Sequence, residues 1–449
     1  MFTWIIQHSP LLYLTQSIWR DEAFSILAAS RPLSFIFQNL GIEPPLYYLL
    51  LHFWMKLFGT SEIAARSLSF LGFGFATVIV IYWAEKLFKR HWLSWYLPLI
   101  FFVNPMLVYY AFEVRTYGWF MFFAVLSFFA YLEKRWKLFI IANVLGFYNH
   151  TYMLFVPLSQ ALYWAIVNRQ KVLHFQWRAV FRQREIRSFF VIFALMIPWI
   201  IRIAQQSVYL KHAWYFPVDI HLVKSVLGNM FVGYEGTPWY LWPFTAYLSI
   251  VLVCLFLFAL APRVTRRRNL FFFLMAVVPL TLVIGVSFVK PLFVNRYLIP
   301  VTVAEVFLVV AAVAAMKRKF FQYLTAASFL IFSVGFNVWY PPLHAKVNIR
   351  KTFQEVNALR GKQDVVLAQT PLVFFESVYY SSDPKRVYLY NPGNVAFPVY
   401  VGSALVSPSQ MALTYPPYPM RGFLIHEDGT YDIVYTTTME TASKNQKRP

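Results

Sequence analysis

Asp21 and Glu22 stand side by side in WRDEAFS, Glu43 opens EPPLYYLL, and Glu113 and Arg115 share YAFEVRTYGW. His150 lies in YNHTYMLF and Arg296 in NRYLIP. Each of these residues falls at the end of an apolar run, where a charge is costly unless it is paired or solvated. A carboxylate within hydrogen-bond reach of a hydroxyl can take its proton while the oxygen attacks. The planar fork of arginine fits phosphate oxygens. Acids, arginines and a histidine brought to one depth are therefore the parts of a group-transfer site with an anionic leaving group. Taken alone, Asp21 and Glu22 also read as the polar end-marker of a membrane span. The company at the other helix ends favours chemistry.

The elements that would position these residues are membrane helices. The chain is 59% hydrophobic with a mean hydropathy of +0.53, well outside the range of soluble domains. Five basic clusters recur between apolar runs: Lys86/Lys89/Arg90, Lys134/Arg135/Lys137, Arg169 to Arg187, Arg263/Arg266/Arg267/Arg268 and Lys317/Arg318/Lys319. They hold 19 of the 40 Lys and Arg residues, so much of the +21 net charge is topogenic and does not point to nucleic acid. If the clusters are cytoplasmic, all the residues named above lie at the opposite face. Uncharged runs at 67–84, 92–112, 116–132, 138–168, 188–201, 237–262, 269–289, 306–316 (extended upstream past Glu305 to 297) and 320–343 supply the spans, each needing roughly 20 apolar residues. The 138–168 run reads as a hairpin turning near Asn149–His150. With a poor first span at 1–19, the expectation is about eleven crossings. The 20–61 outer loop carries two shorter segments, 24–40 and 45–58, the second amphipathic and suited to the membrane surface. His52 on that segment reads as packed or interfacial.

Composition changes after Trp339. A helix from Asn348 to Leu359 precedes the strand-like runs DVVLAQ, RVYLY, GFLIH and YDIVYT, the last two joined by an Asp428-Gly429 hairpin signal. The sequence thus predicts an all-α polytopic membrane module over 1–340 and a small extracytoplasmic α/β domain over 341–449 with a disordered end. Cys254 is the single cysteine, which excludes an internal disulfide framework. There is no P-loop, dinucleotide-binding glycine fingerprint or HExxH motif.

The ordered series DEAFS, EPPLYYLLLHFW, RSLSFL, Glu113-x-Arg115-x-Tyr117, Tyr148-x-His150 and RYLIP resembles the GT-C glycosyltransferases over residues 17 to about 316. It is most similar to bacterial relatives of protein O-mannosyltransferases and of the lipid A aminoarabinose transferase. Asn149 stands where relatives often carry Thr, and Glu305 lies within a span that is usually apolar. The resemblance implies a membrane-embedded site in the cytoplasmic membrane of a bacterium, facing outward. Its partners would be a polyprenyl-phosphate-sugar donor and an acceptor hydroxyl on protein, lipid or glycan. It implies Asp21 as the base, Glu22 as its orienting neighbour, and Arg115, Arg296 and His150 as stabilisers of the leaving phosphate. Glu43, Glu113, Tyr117 and Tyr297 would line the substrate site. No cofactor is certain; a divalent metal would draw on Glu43 and His212. Trp214, Tyr215, Trp239 and Tyr240 fit either sugar stacking or an aromatic belt. The alternative is a transporter or flippase of a lipid-linked substrate, which is expected to show repeats and charges at the midplane.

Overall fold

Prolines and polar caps decide where the apolar runs become helices and where they break. The computed structural model describes residues 2–89, 91–174, 180–206, 218–233, 239–398 and 401–437. Residues 1–19 do not form one span. Helices α1 (Phe2–Gln7) and α2 (Leu11–Thr15) part at Ser9–Pro10, and neither is long enough to cross a bilayer. The outer loop then folds into α3 (Arg20–Ala29), α4 (Leu33–Gln38) and α5 (Pro45–Phe58). Helix α5 turns Tyr47, Tyr48 and Leu51 inward and leaves Phe53, Leu57 and Phe58 exposed, the pattern of a helix lying on a membrane surface. His52 is buried with Nδ1 2.6 Å from the Ala29 carbonyl, a packed position.

The bundle comprises α6 (Glu62–Phe88), α7 (Leu93–Phe102), α8 (Pro105–Ala111), α9 (Tyr117–Leu132), α10 (Trp136–Asn149), α11 (Phe155–Val167), the short α12 (Arg169–Leu173), α13 (Arg184–Gln206), α14 (Ile220–Val232), α15 (Trp242–Leu260), α16 (Arg266–Ser287), α17 (Ile299–Ala315) and α18 (Lys319–Trp339). The 92–112 run is bent by 54° between α7 and α8. Pro105 cannot continue α7, and Asn104 caps α8 by accepting the Leu107 N–H at 3.1 Å. Among the described residues six helices are long and apolar enough to span a membrane, or seven if α7 and α8 form one span. That is fewer than the expected eleven. The difference lies in the broken N-terminal stretch and in the shorter helices α9, α10 and α11. Helix α14 falls within 203–238, read from sequence as an outer loop, yet Val226, Met230 and Phe231 are buried.

Helix α17 is the axis of the bundle. Every side chain from Ile299 to Val313 is buried, as expected for a helix apolar on all sides. Glu305 sits inside it, and neither carboxyl oxygen has a hydrogen-bond partner among the described residues. Helices α6 and α9 touch backbone to backbone, since a Cβ on Gly118 would lie 1.9 Å from the Ser69 carbonyl oxygen. That closeness lets the Ser69 hydroxyl donate to the Arg115 carbonyl at 3.0 Å, fixing the turn that carries Arg115.

Beyond α18, helices α19 (Ile349–Leu359) and α20 (Pro371–Tyr380) accompany strands β1 (Val365–Ala368), β2 (Val387–Tyr390), β3 (Met411–Ala412), β4 (Gly422–Ile425) and β5 (Tyr431–Val434). The sheet order is β3-β2-β1-β4-β5, parallel except for the β4–β5 pair. Gly429, at φ +84°, supplies the left-handed residue of the turn between β4 and β5. Residues 438–449, where the sequence predicts a disordered end, lie outside the described residues.

This C-terminal portion is packed against the 20–61 segment. Ile18, Phe24, Tyr48 and Leu51 share one apolar core with Phe353, Phe374, Phe375 and Phe423. The Phe24 and Phe375 rings meet edge to face at 5.6 Å. The Tyr380 hydroxyl accepts the Ile18 N–H at 2.7 Å and donates to Glu62, which also pairs with Arg350.

Candidate active site

Helix α3 presents both acids of the Asp-Glu pair in its first turn, where the positive end of the helix dipole favours them. Their environments differ sharply. Glu22 is fully buried and engaged on both oxygens by Arg66, from Nε at 2.8 Å and Nη2 at 2.6 Å. The remaining Arg66 donors reach the carbonyls of Leu14, Gln16 and Ser17. Glu22 also accepts the Val114 N–H at 3.0 Å. Burial would raise this carboxyl, but Arg66 and Lys346 hold it below the usual range. It is a sealed ion pair that anchors α3 to α6 and to the 113–115 turn.

Asp21 is open by comparison, with a side chain 15% exposed. Oδ1 accepts from Arg20 Nε at 2.9 Å, and Oδ2 lies 3.4 Å from Arg296 Nη2. Burial alone would raise its carboxyl; Arg20, Arg115 and Arg296 together hold it well below the ordinary carboxylate range. Arg115 is held only by long contacts: 3.4 Å to Ser25 Oγ, 3.5 Å to the Tyr48 hydroxyl and 3.6 Å to Glu43 Oε1. Its Nε has no partner among the described residues. Tyr48 in turn donates to Glu43 Oε2 at 3.3 Å. Normal N–H···O bonds run about 2.7–3.2 Å, so the Arg115 contacts are weak and replaceable.

Glu113 does not pair with Arg115 through its side chain. Its Oε1 faces Lys346 Nζ at 3.3 Å, and Lys346 is also 3.6 Å from Glu22 Oε2. The amine lies 4.5 Å from the Trp19 ring centroid. The Arg296 guanidinium lies 6.0 Å from the Trp19 centroid and 5.6 Å from that of Tyr297. His150 stacks on Phe120 at 4.4 Å and packs against Tyr297 at 5.2 Å. Its Nδ1 accepts the Tyr152 N–H, which leaves Nε2 as the ring's donor. Burial, with Arg115 and Arg296 nearby, lowers its pKa to about 3. That shift favours the neutral imidazole, in which His150 can act as a hydrogen-bond donor. Tyr117 is buried against Tyr110, with ring centroids 4.9 Å apart.

Among the described residues no group of three or more His, Cys, Asp or Glu side chains is placed to hold a metal ion. Both Glu43 oxygens face Arg115 or Tyr48, which does not suit a dication. His212, Trp214 and Tyr215 lie outside the described residues. Trp239 and Tyr240 are exposed and take no part in these contacts.

Five contributors were not singled out from the sequence: Trp19, Arg20, Arg66, Lys346 and Glu376. Glu376 of α20 adds a carboxyl facing the Arg20 N–H, Lys346, Arg20 and Glu22; burial pushes it up to about 8. With Glu376 kept mostly protonated by burial, Arg20, Arg66, Arg115, Arg296 and Lys346 exceed Asp21, Glu22, Glu43 and Glu113 by one positive charge. A cluster with a surplus cation and loosely held arginines around a partly solvated carboxylate suits an anionic ligand.

No family model matches the chain, and no curated protein matches it in sequence. Solved structures do match its fold. ArnT from Cupriavidus metallidurans in the apo state aligns at a TM-score of 0.61 and 11% identity, covering 94% of this chain and 91% of that one. ArnT from the same organism bound to undecaprenyl phosphate aligns at 0.60 and 13% identity, with the same coverage. The chain therefore has the fold of these ArnT structures over nearly its whole length.

Proposed function

We propose that this chain moves a sugar from a polyprenyl-phosphate-linked donor to an acceptor hydroxyl at the outer face of a bacterial cytoplasmic membrane. The observation that carries the proposal is Asp21, partly open and flanked by two arginines whose contacts are long enough to be exchanged for phosphate oxygens. The arrangement supports a single displacement. The acceptor oxygen attacks C1, the C1–O bond to phosphate breaks, and the electron pair leaves with the phosphate. The hydroxyl proton passes to Asp21. Arg115 and Arg296 take up the charge that grows on the leaving group, so no general acid is required there. His150 supplies a neutral N–H at the same depth.

The arginines that keep Asp21 charged also make it a weak base. Once Arg115 and Arg296 turn to the donor phosphate, their share of the hold on Asp21 weakens while Arg20 keeps its 2.9 Å bond, and the carboxylate's basicity rises toward the operating pH, where general bases work best. Donor binding thereby arms the base. Glu22, locked by Arg66, is not free to act as a nucleophile or as a second base, and a single carboxylate at the centre favours inversion. The five basic clusters support the outward orientation.

The reaction can be tested without identifying the acceptor. Cells lacking the protein should accumulate a polyprenyl-phosphate-linked sugar, detected by mass spectrometry of membrane lipids. The wild-type gene should clear it and the Asp21→Asn variant should not. An unchanged lipid profile would contradict the proposal.

A further inference from the structure

Two polar atoms beside this site are buried without a partner among the described residues: the outer oxygen of Glu113, Oε2, and the indole nitrogen of Trp19, Nε1. Buried donors and acceptors are nearly always satisfied, and exceptions call for a missing partner. Both side chains border the Lys346 amine, which is 3.3 Å from Glu113 Oε1 and 4.5 Å from the Trp19 ring centroid. Lys346 carries three donors, and its two carboxylate contacts, at 3.3 and 3.6 Å, are long for charge-assisted bonds. Arg296 links this corner to the reaction centre. The same guanidinium lies 3.4 Å from Asp21 and 6.0 Å from the Trp19 centroid.

An acceptor oxygen, an indole N–H, an ammonium and an aromatic ring are the groups that recognise a hydroxylated ring. Carboxylates accept from sugar hydroxyls, N–H groups donate to them, and an aromatic face covers the C–H side of the ring. A sugar joined to a phosphate held by Arg115 and Arg296 is one bond away from that phosphate, which puts this wall within its reach. Charge narrows the class further. Around the corner Glu22 and Glu113 are balanced by Arg66 and Lys346. The surplus positive charge of the whole site lies on the phosphate side.

We infer that Trp19, Glu113 and Lys346 form the subsite for the donor's sugar, and that it selects a neutral hydroxylated ring over a uronic acid or a cationic amino sugar. The inference rests on the polyprenyl-phosphate reading of the site. Lys346 stands beyond the last span, so the portion after α18 completes the wall of a site otherwise built from the membrane module.

Binding to full-length protein in detergent tests this with four probes: undecaprenyl phosphate alone, and undecaprenyl phosphate bearing glucose, mannose or aminoarabinose. Wild type should bind at least one neutral-sugar lipid roughly three- to tenfold more tightly than the bare lipid, and more tightly than the aminoarabinose lipid. Glu113→Gln and Trp19→Phe should each erase most of that increment, taken as the ratio of neutral-sugar to bare-lipid affinity within the same variant. Retained bare-lipid binding also shows that the variants fold. A neutral-sugar increment that is absent, or undiminished in both variants, overturns the subsite and leaves the donor class standing. Tighter binding of the aminoarabinose lipid overturns the preference for a neutral ring. Failure of all four lipids to bind wild type overturns the donor class itself.

Discussion

Removing Arg66 should cost the protein its fold more than its chemistry. Arg66 and Glu22 are both fully buried, and the guanidinium also satisfies the carbonyls of Leu14, Gln16 and Ser17. Arg66→Met would leave a buried carboxylate to the Val114 N–H at 3.0 Å, the Trp19 N–H at 3.4 Å and Lys346 at 3.6 Å. It would also orphan three carbonyls in the segment leading into α3. Breaking a buried pair by removing one partner costs about 3–5 kcal/mol. The arginine surrenders five hydrogen bonds, so the upper part of that range is expected. Glu22→Gln keeps one acceptor but leaves a buried guanidinium uncompensated, for about 2–4 kcal/mol. A double-mutant cycle by reversible denaturant unfolding in detergent should give a coupling above about 1.5 kcal/mol between positions 22 and 66. Single losses below about 1 kcal/mol, or additive effects, would refute the claim that this pair anchors the catalytic helix.

Neutralising Arg115 or Arg296 to Met should weaken binding of undecaprenyl phosphate about 10- to 100-fold each, the loss of one charge-assisted bond, measured by titration of purified protein. Glu376 gives a pH signature. Its folded value is raised to about 8 from an ordinary 4.5, so its contribution to stability is full below 4.5 and is lost as pH rises toward 8. Stability should therefore slope downward across about pH 5–8, and Glu376→Gln should flatten that slope in thermal unfolding at stepped pH. Cysteine substitutions at 265 and 430 in intact cells test the orientation: an impermeant thiol reagent should label 430 and spare 265.

The broad architecture was legible because the signals were local. Basic clusters mark helix ends, Arg31–Pro32 and Gly41–Pro45 break the outer loop, and Asp428–Gly429 closes a hairpin. Fewer long spans than the expected eleven stand among the described residues, partly because prolines break two of the runs. Ser9–Pro10 splits the first stretch, and Asn104–Pro105 bends another by 54°. The site was half legible. Asp21, Arg115 and Arg296 sit at helix ends, where charges stand out against apolar surroundings, and they converge in the fold. The roles of Glu22 and Glu113 depend on Arg66 and Lys346, partners 44 and 233 residues away. No local pattern encodes such pairings. His150 shows a related gap, because its charge state follows from burial and two nearby arginines and cannot be read from its sequence neighbours.

The central claim is that Asp21 takes the acceptor proton, and the most direct measurement is the turnover of Asp21→Asn. Asparagine preserves size and can still accept from Arg20 and Arg296, but it cannot take up a proton at neutral pH. In native membranes supplied with labelled polyprenyl-phosphate sugar, the variant should bind donor and keep its unfolding midpoint. Its turnover should fall about 10²- to 10⁴-fold. A variant within about tenfold of the parent rate would contradict the assignment and move the search for the base to Glu43.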